Sequence, residues 1–482
     1  MTPFRQRLLM GAVISGLLLA MLDQTIVGTA LPRIVGALGG TSLYVWVVTA
    51  YLVPATVSLP VYARLSDRYG RQPLLLIGMA LFLVGSALAG SAQDMTQLIA
   101  WRALQGLGAG ALEALSFILV ADLYGGRRNA ALQGVLAGLM GLSFIAGPLI
   151  GGFLTDHVDW RACFLVNLPI GLAALAIVWR VLPASVGRTE GRGTPLDLAG
   201  IALLTVGLGL LLVGLNERGH GDAAWVELRT GGAMLAGLLV LAAFVIAERR
   251  AIAPIIPMGL LTSRRTAPLL VAGGVATLGL FAGVLLLPRY YQTVRDVSAT
   301  HSGLLIYPLL LGLLVAVNVG AMVIVRSGRF RAVLLGGFGL VVLGALGFAT
   351  FDETTPDWQA LVFMALVGAG IGPALSGLQL AIQRAVPPAQ IAGAMGTLLL
   401  LRQVGGVIAF AVAETIFVTR LHAGATPAVA TGTGVLWVAL AGALIGGAAL
   451  LALPRASARI AFPGPEQATP PGVDRREPLA AP

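Results

Sequence analysis

Residues 17–32 read LLLAMLDQTIVGTALP, with one carboxylate, Asp23, inside an apolar run long enough to cross a membrane. An aspartate at mid-helix costs roughly +2.5 to +3.5 kcal/mol on insertion scales. Such residues face a bundle interior or an aqueous cavity and mark ion or substrate paths. The stretch therefore predicts a first membrane helix with a working acid in it. Arg5 and Arg7 ahead of the run have the outline of a secretory signal. Asp23 in the apolar core and the many further spans favour a retained helix.

Outward from this stretch the same composition continues. The chain has 482 residues, of which 57% are hydrophobic and 11% charged. A soluble domain is about half apolar and about a quarter charged. Mean hydropathy is +0.90. The 64 glycines and 26 prolines follow no collagen-like period, and both residues are frequent in membrane helices. About 20 apolar residues span a bilayer. Fourteen such windows occur, near 8–31, 43–63, 73–91, 97–122, 130–153, 163–182, 196–216, 231–247, 266–289, 302–325, 331–351, 358–382, 392–418 and 432–453. The predicted fold is an all-α polytopic membrane protein with 14 transmembrane helices.

The net charge is +10, and every one of the 31 basic residues is arginine. With the N-terminus inside, twenty-two arginines fall in cytoplasmic segments and seven, Arg289 among them, in external loops. Arg102 and Arg402 lie within spans. This positive-inside asymmetry places both termini in the cytoplasm and accounts for the basic charge without nucleic acid. The longest inner connections, 183–195 and 248–265, flank spans 7 and 8. The second contains RRAIAPIIPMGLL, read as an interfacial segment. The expected organisation is a six-helix bundle over 1–183, a linker with two additional helices over 184–265, a second six-helix bundle over 266–454, and a disordered tail over 455–482.

The motifs resemble the major facilitator superfamily, in its fourteen-helix drug:proton antiporter branch. ARLSDRYGRQP at 63–73 is similar to the superfamily's loop between spans 2 and 3 through Asp67, Arg68, Gly70 and Arg71, with Ala63 and Gln72 as departures. WRALQGLGAG in span 4 matches through Arg102, Gln105, Gly106 and Gly108. GLSFIAGPLIGG in span 5 resembles the antiporter motif through Gly147, Pro148, Gly151 and Gly152; Gly134 fits its upstream glycine and Ser143 replaces another. LDQTIVGTALP looks like the branch's span-1 signature, with Gly28 for an asparagine. PLDLAG at 195–200, LPRYYQ at 287–292 and LLLRQVGG at 399–406 are weaker matches.

Five charges lie inside spans: Asp23, Arg102, Glu113, Arg402 and Glu414. They are the proton-coupling and substrate candidates. Asp23 sits about 12 Å below the outer end of span 1 and Arg102 roughly 8 Å below that of span 4. The two can meet if these spans are neighbours, as the resemblance implies. Glu113 follows Arg102 by eleven residues, on nearly the same face and deeper toward the cytoplasm. Glu414 is divided between an interfacial carboxylate and a coupling acid. Arg402, with Gln403, is expected on the cavity side of the second bundle. Asp67 and the nearby arginines form a charge cluster that acts as a conformational gate. Gly147, Pro148, Gly151 and Gly152 allow a close, leak-resistant helix contact. GAGIGPALSG at 368–377 is read as similar in kind.

Without lysine there is no Walker loop and no built-in ATP motor. His157, His220, His301 and His422 lack ligand spacing, and the single Cys163 cannot form an intramolecular disulfide. The expectation is a non-enzymatic, monomeric exporter in the cell inner (plasma) membrane. It needs no cofactor beyond the proton gradient, and its partners are small amphipathic, cationic drugs, protons and lipid. The alternatives are an exporter of one specific metabolite, lipid or antibiotic, and a non-transporting membrane scaffold.

Overall fold

The computed structural model describes residues 2–123, 126–184, 186, 197–220, 227–251, 254–387 and 390–454. Side chains at 3, 121, 126–140, 218–220, 228 and 392 lie outside that description. So does the whole segment 455–482, together with the expected cytoplasmic arginines Arg188 and Arg192 and the surroundings of Gly134.

The described residues form helices joined by short turns, with no strand among them. The first are α1 (Pro3–Leu38), α2 (Tyr44–Tyr69), α3 (Arg71–Gly90), α4 (Met95–Leu123), α5 (Gly126–His157) and the pair α6 (Ala162–Leu165) and α7 (Asn167–Val181). Next come α8 (Leu198–His220), α9 (Ala233–Arg250) and the short α10 (Met258–Thr262). The remainder are α11 (Ala267–Val275), α12 (Leu278–Thr293), α13 (Ala299–Leu305), α14 (Tyr307–Ser327), α15 (Phe330–Gly347), α16 (Asp357–Ala385), α17 (Ile391–His422) and α18 (Pro427–Leu451). Thirteen membrane-length apolar helices occur among the described residues. The expected span 130–153 falls in α5, 32 residues long, whose first half has no described side chains.

Most helices outrun their apolar windows because backbone hydrogen bonding continues past the hydrocarbon. Thr2 accepts from the Arg5 amide to cap α1, and Pro3 starts it. Thr426 and Pro427 do the same for α18. Three apolar spans are broken rather than continuous, at Val166, at Ala276–Thr277 and at Ile306.

Helices α1–α7 pack on one another, and α11–α18 form a second group. The hairpin α8–α9 stands apart: its two helices pair, and α8 packs on α2 and α17. Leu38, at the end of α1, marks one end of the assembly, and Tyr69, at the end of α2, marks the other.

The two groups repeat one packing device. On α4 a Cβ at Gly106 would lie 2.2 Å from the Tyr51 carbonyl, and one at Gly108 would lie 2.3 Å from the Phe82 amide. On α16 a Cβ at Gly368 would lie 1.9 Å from the Leu309 carbonyl, and one at Gly372 would lie 2.5 Å from Ala316. Each glycine stripe lets its helix, the fourth span of its group, sit against two neighbours, with Gly370 meeting the Gly337 carbonyl of α15. GAGIGPALSG is thereby corrected: it matches the α4 stripe and packs α16 on α14 and α15 within one group, unlike the α5 motif.

Candidate functional site

Asp23 has no exposed surface and Arg102 has 1%. The Arg102 guanidinium donates to Asp23 Oδ2. Asp23 Oδ1 accepts from Gln105 Nε2 at 2.8 Å and from Asn167 Nδ2 at 3.0 Å. Arg102 also donates to the Val47 carbonyl at 3.2 Å and to Gln105 Oε1 at 2.7 Å, and its guanidinium lies 4.2 Å from the Tyr51 ring centre. Ser86 closes the cluster by accepting from Gln105 at 2.7 Å and from Asn167 at 3.2 Å. Five helices thus meet on one buried carboxylate. Each partner offsets desolvation that an unpaired ion would leave uncompensated.

Arg102 stands where the spacing on α4 predicts. Asn167 and Ser86 were not visible as site residues, since neither carries charge nor stands in a quoted motif. The break between α6 and α7 at Val166 explains Asn167, because it starts α7 with the amide inward.

The cluster borders the meeting plane of the two groups. Tyr51, Arg102 and Gln24 share a gap of about 10 Å³ with Phe144, Phe281 and Phe410. That is near the least space one water needs, and far below the roughly 300 Å³ at which drug-sized sites begin.

Glu113, 1% exposed, accepts from Gln24 at 3.1 Å and from Gln403 at 3.4 Å. Gln24 is the chain neighbour of Asp23, and Gln403 belongs to α17. Glu113 is therefore hydrogen-bonded to both groups. Arg402 donates to the Leu375 carbonyl at 3.0 Å, and its buried Nε has no partner. Leu375 lies two residues beyond Pro373, on the α16 face turned toward α17.

Glu414 is buried within the protein, 3% exposed, and ion-paired. Its partner is Arg289 at 2.7 Å. The Arg289 guanidinium lies 4.4 Å from both the Tyr44 and Phe417 ring centres. Arg289 was expected in an external loop; it lies inside α12, which runs on to Thr293, and its side chain is only 17% exposed. The apolar window ends one turn short of α12 because an arginine reads as the end of a span even where a buried acid neutralises it.

At the Tyr69 end Arg71 binds Asp67 at 2.6 Å, Asp122 at 2.7 Å and the Ser66 hydroxyl. Its backbone N–H reaches the Val186 carbonyl at 3.0 Å. Gly70 has φ +93, and a Cβ there would lie 2.6 Å from the Ala184 carbonyl, so glycine is required twice over. Arg68 is exposed, over the Tyr69 ring at 5.3 Å. The cluster's described partners lie on α2, α3 and α4 and on the segment after α7. The sequence does not link Asp122 to this cluster, because it stands at the far end of α4, fifty-one residues from Arg71.

At the Leu38 end the α5 glycines meet α1 and α13. A Cβ at Gly147 would lie 1.8 Å from Thr25 Oγ1, one at Gly151 2.5 Å from the Ile26 carbonyl, and one at Gly152 2.6 Å from the Ala299 carbonyl. The Pro148 carbonyl lies as close to Gly303 of α13. Asp156 then accepts from the Ala299 amide at 3.1 Å and from the Thr300 amide at 2.7 Å, while Gln292 donates to the Thr29 carbonyl at 2.8 Å. The two groups are sewn together at this end.

The helix count, the Asp23–Arg102 pair and the α5 seam lead to one class. The chain belongs to the Major Facilitator Superfamily, whose family model matches residues 13–410. It is 33% identical over 398 residues to the multidrug transporter protein MdtP of Bacillus subtilis (strain 168), covering 82% of this chain and 73% of that one. It is also 33% identical over 421 residues to the MFS-type transporter Rv1877 of Mycobacterium tuberculosis (strain ATCC 25618 / H37Rv), covering 87% of this chain and 61% of the relative. Among solved structures, that of the human organic anion transporter MFSD10 (TETRAN) is similar in fold, with a TM-score of 0.58 at 18% identity over 94% of this chain and all of that one. The protein is a multi-pass membrane transporter and not an enzyme.

Proposed function

We propose that the chain is a proton-coupled antiporter that exports amphipathic, cationic drugs by alternating access. The observation that carries this reading is the Asp23 cluster: a wholly buried carboxylate beside the gap between the two helix groups. Loading a proton on Asp23 cancels its charge and releases Arg102 from its ion partner. Gln24 links this event to Glu113, which also bonds Gln403 of the second group. A cation drawn to Glu113 and a proton compete for negative charge in one low-dielectric space. In this scheme Asp23 carries the proton, Glu113 meets the cargo, and Arg102 sets how tightly Asp23 holds its proton. Arg402 and Glu414 act from the second group, the first near the cavity and the second as the partner of Arg289.

The arginine asymmetry supports both termini inside, in the cell inner (plasma) membrane, with the Leu38 end outward. The α5 seam through Gly147, Pro148, Gly151 and Gly152 is then the external seal. The Asp67, Arg68, Gly70 and Arg71 cluster is the internal gate, which would hold the two groups closed on the inside when assembled against the second; in the conformation seen its described partners all lie in the first group. The unit of function is a monomer, driven by the proton gradient without a cofactor. The relative described as a multidrug transporter supports drugs as cargo.

Drug-driven proton movement in proteoliposomes tests the reading. Asp23→Asn is expected to abolish it while drug binding persists; full coupling in that variant rejects Asp23 as carrier. A panel of cationic and neutral compounds separates broad drug export from export of a single metabolite.

A further inference from the structure

The hairpin α8–α9 contains a second pair of acids that the transport scheme does not use. Asp197 caps α8, its Oδ1 accepting from the Gly200 amide at 2.7 Å. Glu248 stands near the end of α9, 1% exposed, with Oε2 accepting from the Ile256 amide at 3.0 Å. The other oxygen of each carboxyl, Asp197 Oδ2 and Glu248 Oε1, is buried and has no hydrogen-bond partner. Both face the same point. A Cβ built on Gly200 would lie 2.6 Å from Asp197 Oδ2 and 2.7 Å from Glu248 Oε1. The two orphan oxygens are therefore no farther apart than the sum of these distances.

Two buried acceptors facing one another leave two donors' worth of desolvation unmet. Two ionised carboxylates at this range would also repel in a low dielectric. Both atoms are closed to solvent, so bulk water answers neither charge. A shared proton would answer both. We infer that Asp197 and Glu248 bind one proton between them, as a carboxylic acid donating to a carboxylate, and that this proton fastens the ends of α8 and α9. Carboxyl pairs that share a site cannot both ionise readily.

The fastening reaches beyond the hairpin. Glu248 holds Ile256, and the Pro254 carbonyl accepts from Arg64 of α2 at 3.3 Å. Arg64, Asp197 and Pro254 border one cavity of about 220 Å³ with Pro60 of α2 and Gly393 and Thr397 of α17. Of the described groups around the pair, Arg64 is the charged one contributed by α2; α17 lines the cavity with Gly393, Gly396, Thr397 and Leu400, none of them charged. Arg249 and Arg250 follow Glu248 on α9 and are exposed. Loss of the proton would place two negative charges at the contact and loosen the Pro254–Pro257 segment from α2. The hairpin is then a proton-dependent clasp on the first helix group, whatever cargo the transporter moves.

Infrared difference spectroscopy on the full chain in lipid nanodiscs tests this. At neutral pH the wild type is expected to show a protonated-carboxyl band that is lost in both Asp197→Asn and Glu248→Gln. Spectra differing only in ionised-carboxylate bands would overturn the proposal. An amide N–H supplies the donor that the proton supplies, so both variants keep the fold on this reading, and collapse of both also overturns it. A cysteine at Ile255 reads the clasp. Its maleimide labelling should rise several-fold more steeply with pH beside the native pair than in the Glu248→Gln background. Equal pH profiles in the two backgrounds refute the fastening role.

Discussion

Arg102 shows how much a single buried charge depends on its partners. It serves Asp23, Gln105 and Val47 at once, with Tyr51 beneath its plane. Removing one member of a buried pair strands the other, at a cost of roughly 3–5 kcal/mol. Arg102→Ala is expected to lower stability by about that amount in detergent unfolding, and adding Asp23→Asn should restore part of the loss. Recovery absent in the double variant would mean that the two charges are not energetically coupled. The pairs at the Leu38 end differ by exposure. Arg289→Ala leaves the buried Glu414 alone and should destabilise strongly. Arg295→Ala loses a pair whose members are 33% and 60% exposed, which contributes about 0–1 kcal/mol, together with hydrogen bonds to the Thr355 carbonyl and the Tyr290 hydroxyl, and should cost less than Arg289→Ala because no buried charge is stranded. Unfolding midpoints of the two variants, measured side by side, check the order.

Helices here are placed by absent side chains as much as by present ones. A side chain at Gly108 would enter the backbone of α3, so Gly108→Val is expected to cost at least about 1–3 kcal/mol through overpacking. Gly396 on α17 has nothing within 4 Å of the position a methyl group would take, and Gly396→Ala should be neutral or stabilising by about 0.4–1 kcal/mol. Gly152 lies on the seam between groups rather than inside one. Gly152→Leu is therefore expected to spare the stability of each group yet open the Leu38 end, seen as faster labelling of a cysteine at Thr300. An unchanged rate would show that α5 and α13 part for some other reason. α4 and α16 share one glycine spacing, Gly106–Gly108–Gly110 and Gly368–Gly370–Gly372, and α5 has another, Gly147–Gly151–Gly152; neither spacing says which helix its glycines meet.

At the scale of the whole molecule, the arginine distribution carries the proposed direction in the membrane, with the Leu38 end outward. Cys163 is buried, so the chain has a quiet background for thiol labelling. A cysteine at the exposed Glu353 is expected to react with an impermeant reagent from outside intact cells, and one at the exposed Ser327 only after permeabilisation. The reverse pattern would invert the topology and with it the direction of export. The conformation seen is sealed at the Leu38 end, and its central gap holds about one water. Cargo of drug size therefore enters only when the groups separate, which ties transport to motion of whole helix groups rather than of side chains.

Hydropathy alone determined the class. Apolar windows and a lopsided arginine count are strong because hydrocarbon tolerates neither open backbone nor stray charge. Asp23 was legible for the same reason, and helical rise alone placed Arg102 at matching depth. The identity of partners was not legible. Asn167, Ser86, Asp122 and Arg289 reach their acids or bases from distant segments, and Asp197 meets Glu248 only because α8 and α9 pair. Depth along a helix is local and can be counted in residues. Which faces meet depends on how every other helix packs, and that only the tertiary structure decided.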